Sequence, residues 1–472
     1  MLLIVVMIYL AANLSVIENH GSPQQSDSYS YSFLVDEDGL ALVTINYTSH
    51  KRFGSSWVIV PRFHESTNRT LYGKILDFSF SSTKDRVDIE YYFYRVLDFS
   101  FQSEGHFEMI IQFNFTSAAM IIEPSGIFLS PQIGFKPGSM GRAEVAFPGG
   151  CRIGKAVAGY GSPPSFTNSN YVRFDSLPEY ALRLEIGFNV SDDKPDLSRI
   201  EDGVFTFETV RRYENYAQDI LSLFNRSYGD LVRLFNTNLE NVNLEFFIPD
   251  FEYLFSVGGY VPFAGEEIGD IHINIFYTRY VKGYIEVIAL HELVHHFLWK
   301  AGLSPQNLLW FHEGMAQYVS TELAVNMEYE GASMMKQELE TGISQLDIGN
   351  NLGFLPDWTP SYQPADWGTL YAAAYYVVTE LAEPYGLRYY SKFFQLLPGV
   401  YVEGNTELAY YLSLAANQTV VPKLKSWGLR IADLYTYSDL IMEAEKSVGR
   451  VSPVFQPYRF FAEQLYRWAL TN

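Results

Sequence analysis

Between Val287 and Lys300 the sequence reads VIALHELVHHFLWK, a run without Gly or Pro that stops just before Gly302. Such a run forms a helix, with Gly302 placed as its stop signal. His291 and His295 stand four residues apart, just over one turn. Both imidazoles therefore leave the same helix face and can take two tetrahedral positions on one zinc ion. Glu292 lies about 100° round the helix beside them. After a loop near Ala301–Gln306, the segment from Trp310 to Tyr318 reads as the start of a second helix. It carries Glu313, a carboxylate able to complete the shell of a single zinc. His296 points to another face and reads as a hydrogen-bonded core histidine, and His312, next to Glu313, is a rival third ligand.

The HExxH at 291–295, then 17 residues, then Glu313 inside W-x-x-E-G-x-A-x-Y resembles the gluzincin metallopeptidases, the aminopeptidase N type in particular. The resemblance covers roughly residues 204–433. It implies a thermolysin-like mixed α/β catalytic domain holding one zinc per chain on His291, His295 and Glu313. The chemistry implied is hydrolysis of peptide bonds by a metal-activated water, with Glu292 as general base. Downstream, Tyr371-Ala372-Ala373-Ala374-Tyr375 resembles the family helix whose leading Tyr donates to the developing oxyanion. The family's Lys-Gly after that Tyr is Ala-Ala here, and Tyr375 and Tyr376 are rivals. Upstream, Gly265-Glu266-Glu267-Ile268 is similar to the family's G-x-M-E-N segment, without its Met and Asn. Glu267, 24 residues before His291, then takes the place of the carboxylate that reads a free α-amine, with Glu266 as its rival. The implied activity is aminopeptidase-like. A zinc endopeptidase is the alternative, as is a non-catalytic cell-surface binding protein on the same fold, since fold does not guarantee turnover.

Around these helices the pattern changes along the chain. From residue 28 to about 195 the sequence returns to short alternating, β-branched and aromatic runs: Leu40–Tyr47, Ser56–Val60, Val87–Tyr94, Phe107–Phe115, Tyr171–Phe174 and Ala181–Val190. Asp38-Gly39, Pro137-Gly138 and Gly149-Gly150 separate them as turns, so a β-sandwich is expected over 28–195. The polar stretch Ser191–Gly203 reads as the boundary. A mixed catalytic domain with a helical C-terminal region is expected over 204–472: helical spacing over Glu208–Asn238, a strand at Val242–Ile248, a turn at Gly258-Gly259, and a strand carrying Ile271, Ile273 and Ile275.

Composition narrows the partners. Of 472 residues, 48% are apolar and 18% charged, a folded and charge-poor chain. The net charge of −21 repels phosphate backbones, so nucleic acid is not an expected partner, while peptide or protein substrates are what the family resemblance implies. Met1–Ala12, MLLIVVMIYLAA, is too short to span a bilayer and has the length of a signal h-region. Residues 1–27 are read as a signal peptide or an N-terminal anchor and linker, placing the protein outside the cell, with membrane contact only through an uncleaved segment. N-x-S/T sequons at Asn13, Asn46, Asn68, Asn114, Asn189, Asn225 and Asn417 fit a glycosylated exterior. Cys151, the only cysteine, can form no internal disulfide and reads as a buried small residue.

Overall fold

The computed structural model describes residues 27–159, 161–179, 181–190, 195–264, 267–349 and 351–471. The expected signal segment, the Asn13 sequon, Gly265 and Glu266 lie outside the described residues.

The first half is β-rich. Its strands are β1 (Ser28–Val35), β2 (Ala41–Ser49), β3 (Phe53–Pro61), β4 (Ser66–Tyr72), β5 (Lys74–Ser81), β6 (Tyr94–Gln102), β7 (Phe107–Phe115), β8 (Ala119–Ile122), β9 (Ser125–Leu129), β10 (Met140–Ala146), β11 (Arg152–Ala158), β12 (Phe166–Thr167), β13 (Tyr171–Phe174) and β14 (Leu184–Asn189). A helical turn, α1 (Lys84–Val87), precedes β6. Seven strands form one sheet in the order β12-β13-β10-β1-β2-β7-β4, while β11-β14-β9-β8 and β3-β6-β5 form two more. Strict alternation sets the inward face: Tyr29, Tyr31, Phe33 and Val35 on β1, and Ala41, Val43, Ile45 and Tyr47 on β2, are buried. These meet residues of the smaller sheets in one core, with Phe33 against Phe128 (5.7 Å between ring centres) and Tyr47 against Phe99 (5.1 Å). Each such fully buried aromatic or aliphatic side chain contributes about 1.5–3 kcal/mol. The segment Val87–Tyr94, expected as a strand, is instead the end of α1 and a turn. Asp88 closes that helical turn in the left-handed region at φ 60°, and extended pairing starts only at Tyr94.

The second half mixes strand and helix and then turns wholly helical. Its strands are β15 (Leu197–Asp202), β16 (Phe205–Val210), β17 (Val242–Phe247), β18 (Gly259–Tyr260), β19 (Phe263–Ala264), β20 (Glu267–Ile268) and β21 (Ile271–Asn274). The helices are α2 (Glu214–Phe235), α3 (Tyr284–Lys300), α4 (Pro305–Asn326), α5 (Glu330–Ser344), α6 (Trp367–Ala382), α7 (Arg388–Gln395), α8 (Asn405–Ala416), α9 (Val421–Ser426), α10 (Ser438–Gly449) and α11 (Gln456–Thr471). One sheet runs β15-β16-β17-β21-β18, parallel through β16, β17 and β21 and antiparallel at both ends. The stretch read as a polar boundary thus contains β15, whose alternating polar side chains suit a sheet edge paired on one side only. Glu208–Val210, read as helical, ends β16, and the helix starts at Glu214.

The two halves share buried contacts. Met120 and Leu129, from β8 and β9, belong to the core of the second half. The Ile121 amide donates to the Tyr213 hydroxyl at 2.7 Å, and the hydroxyls of Ser117 and Thr278 are 2.7 Å apart. Among the described residues, no helix is long and apolar enough to cross a membrane.

Candidate metal centre

Helix α3 is buried on every side: each residue from Tyr284 to Leu298 is shielded from solvent. A helix hydrophobic all round belongs in a core, yet this one carries Glu286, His291, Glu292, His295 and His296. Buried ionisable groups need partners. Glu286 has one, since its carboxylate accepts from the Gly283 amide at 2.8 Å and caps the helix start. The other four remain to be accounted for.

His291 and His295 meet Glu313 of α4. The His291 Nε2 lies 3.0 Å from Glu313 Oε2 and 3.2 Å from His295 Nε2, and His295 Nε2 lies 3.7 Å from the same oxygen. Ligands of a tetrahedral zinc bound at 2.0–2.1 Å stand about 3.3 Å apart, so this triangle fits the ion. Two ring nitrogens and a carboxylate oxygen facing one point are also the donor set that zinc takes. Burial alone would raise the Glu313 carboxyl, but the His295 charge and the hydrogen bond with His291 hold it well below the usual carboxylate range.

Close packing brings the second helix this near. A Cβ on Gly314, the residue after Glu313, would stand 2.6 Å from the Ala374 carbonyl oxygen of α6. Gly314 and the run Ala372-Ala373-Ala374 therefore let α4 and α6 approach, which carries Tyr371, one turn before Ala374, to the cluster. The Tyr371 ring centre is 6.4 Å from that of His291, and Trp367 and Trp358 brace it at 6.1 and 5.5 Å. Burial, and then the carboxylates of Glu313 and Glu292, hold its phenol protonated well above the usual range. Asp366 fixes the start of α6 by accepting from the Thr369 amide at 3.0 Å.

Glu292 is 5% exposed, and burial, with some help from Glu313, pushes its carboxyl up to about 8. Strand β18 packs directly on it: a Cβ at Gly259 would meet Glu292 Cγ and Oε1 at 2.9 Å each. Read from sequence, Gly258-Gly259 was a turn. Instead Gly259 opens the terminal strand of the sheet, opposite Ile273, and its missing side chain makes room for the carboxylate. The Gly pair was the visible signal, but only the register reveals its purpose.

No protein-family model matches the sequence, and no curated protein matches it. Among solved structures, a yeast LTA4 hydrolase in complex with bestatin aligns with 92% of this chain and 75% of its own, at 12% identity and a TM-score of 0.36. Native leukotriene A4 hydrolase from Saccharomyces cerevisiae aligns over the same shares at 12% identity and a TM-score of 0.34. Likeness this loose fixes neither fold nor activity.

The remaining sequence candidates fall outside the triangle. Glu267 is exposed on β20, opposite Ala264 in the β19–β20 hairpin, and among the described residues no hydrogen bond or ion pair links it to the cluster. The same hairpin instead offers Phe263, with its ring 6.2 Å from His295 and 6.1 Å from His312, a neighbour that spacing could not show. His312 is committed elsewhere: its Nε2 donates to the Leu303 carbonyl at 3.1 Å, and burial pushes the ring down to about 3. His296 is buried with no partner at Nε2 among the described residues, rather than hydrogen-bonded there, and burial pushes it down to about 4. Cys151 is buried and free, and Tyr375 packs in the core.

Proposed function

We propose that this chain is a zinc metallopeptidase that hydrolyses peptide bonds, built as a β-sandwich over 28–195 and a thermolysin-like gluzincin domain over 204–472. The observation that carries the reading is the triangle of His291, His295 and Glu313 on two crossing helices, with the buried Glu292 carboxylate beside it. His291, His295 and Glu313 would hold the zinc, whose chemistry when bound is that of a Lewis acid able to activate water near neutral pH.

The chain's own residues supply the rest. Glu292 accepts a proton at its carboxylate and returns it to a leaving amine, and a carboxyl poised near neutrality is suited to both. Tyr371 keeps its proton, so its hydroxyl can donate to an oxygen that gains charge. Strand β18 ends the sheet, and as no strand pairs with its outer edge among the described residues, its backbone can offer donors and acceptors to an extended peptide, which favours peptides as the substrate class. The proposed location is outside the cell. Asn68, Asn114, Asn189, Asn225 and Asn417 are exposed for glycosylation, and Asn46 is half-buried, its amide donating to Glu108.

Which end of the peptide is read turns on Glu267. The amine-reading role stays part of the aminopeptidase proposal, while its exposed place on β20 favours a zinc endopeptidase as the second reading. Cleavage of a mixed peptide library with free and acetylated N-termini, read by mass spectrometry, separates the two. Glu292→Gln is the test of the whole: it should retain one zinc per chain yet lose about 10²–10⁴-fold in turnover. Full turnover with zinc in place would assign the base elsewhere and sink the mechanism.

A further inference from the structure

The β-rich half and the second half meet over a cavity of about 440 Å³ that none of His291, Glu292, His295 or Glu313 lines. Phe63, Phe93, Tyr94 and Phe115 of the first half face Phe276 and Tyr280 of the second across it. Into this largely aromatic space come two guanidinium groups.

Arg279, at the end of the 3-10 turn Ile275–Arg279, is 5% exposed. Its Nη2 donates to the Leu129 carbonyl, and its plane is held over Phe115 and Phe276 at 4.7 and 5.2 Å. Its Nη1 is buried with no partner among the described residues. Arg183, half-buried just before β14, lies over Phe255 and Tyr94 at 4.6 and 5.9 Å, and its Nε atom is itself buried with no partner among the described residues. His64 Nδ1 is a third such atom, on a ring tilted against Phe115 at 4.9 Å; burial and the Arg279 charge push that ring down to about 4. Neither arginine forms an ion pair among the described residues. Glu330, the one carboxylate in the described lining, is exposed at the start of α5, and Lys282 is engaged by Asp219 at 3.2 Å.

Arginine keeps its proton inside a protein, so it cannot escape burial by becoming neutral. A buried and a half-buried like charge, each with a buried idle N–H group facing one cavity, are costly until an anion joins them. Their planar donors match an oxyanion of carboxylate shape. The volume and apolar walls match the pockets that enclose small organic molecules.

We propose that this junction cavity is a binding site for a small organic anion, a carboxylate on an aryl or alkyl body, held by Arg279 and Arg183. The site is independent of the peptidase reading. The test is isothermal titration and thermal shift of the full chain with 4-phenylbutyrate, its uncharged amide and inorganic phosphate. The carboxylate should bind one to one, at least tenfold more tightly than the amide or phosphate, and Arg183→Gln should weaken it tenfold or more. Arg279→Met should do the same; should that variant fail to fold, Arg183→Gln decides. Equal binding of acid and amide, equal binding of phosphate, or no carboxylate binding at millimolar concentration overturns the proposal. So does binding that survives Arg183→Gln and disappears in His291→Ala, which would place the carboxylate on the metal cluster instead.

Discussion

The metal cluster and the junction cavity bury charge in opposite ways. At the cluster, imidazoles and carboxylates crowd together with their lone pairs facing one point, as His291, His295 and Glu313 do within 3.7 Å. At the cavity, two guanidiniums face an apolar space with N–H groups idle and, among the described residues, no carboxylate paired to either. Both regions are unfavourable as isolated protein. The difference lies in sign: surplus lone pairs call for a cation and surplus N–H groups for an anion. Buried ionisable groups therefore specify the charge of what completes them, even where they leave its identity open.

The strongest break of that comparison is removal of a donor from the triangle. His291→Ala, His295→Ala or Glu313→Ala should each lower zinc content, read by metal analysis, and abolish turnover; full zinc in all three would remove the cluster from the argument. Zinc should also leave as pH falls, because the imidazoles must be neutral to bind, and the loss should follow their protonation. A smaller effect is expected from Tyr371→Phe, which keeps the ring against His291 and removes one hydroxyl. Loss of such a donor costs about 2.7–4 kcal/mol, so kcat should fall about 10²–10³-fold with KM little changed. An unchanged kcat would make Tyr371 a packing residue. The smallest effect sharpens the contrast at the cavity: Arg183→Gln, without any ligand, removes one of two like charges and should leave stability within about 1 kcal/mol of the parent in thermal melts. A loss well beyond that would mean that Arg183 already has a stabilising partner.

What could be read from the sequence follows what is local. His291, Glu292 and His295 sit on one helix, so periodicity alone aligns them, and Glu313 follows after one short loop. Tyr371 was reachable only through family resemblance, because its approach depends on Gly314 meeting Ala374 across two helices. Glu267 shows the limit: spacing along the chain placed it near the site, but the chain between β18 and β21 folds into its own hairpin and leaves it in solvent. The β-rich character of the first half was legible from alternation. Its sheet order was not, since β1 pairs in parallel with β10, more than a hundred residues away. The same holds for the cavity, whose walls come from six separated stretches between Pro61 and Glu330. No single stretch carries a pattern that announces a site.

The contribution of Met120 and Leu129 to the core of the second half has a consequence for how the chain comes apart. Those side chains, the Ile121 bond to Tyr213 and the Leu129 carbonyl that receives Arg279 all cross the junction. Splitting the chain between 195 and 204 would strip the second half of Met120 and Leu129 from its core and of the carbonyl that receives Arg279. These contacts tie the two halves together, and the expected consequence is that a denaturant meets them as a single transition rather than two.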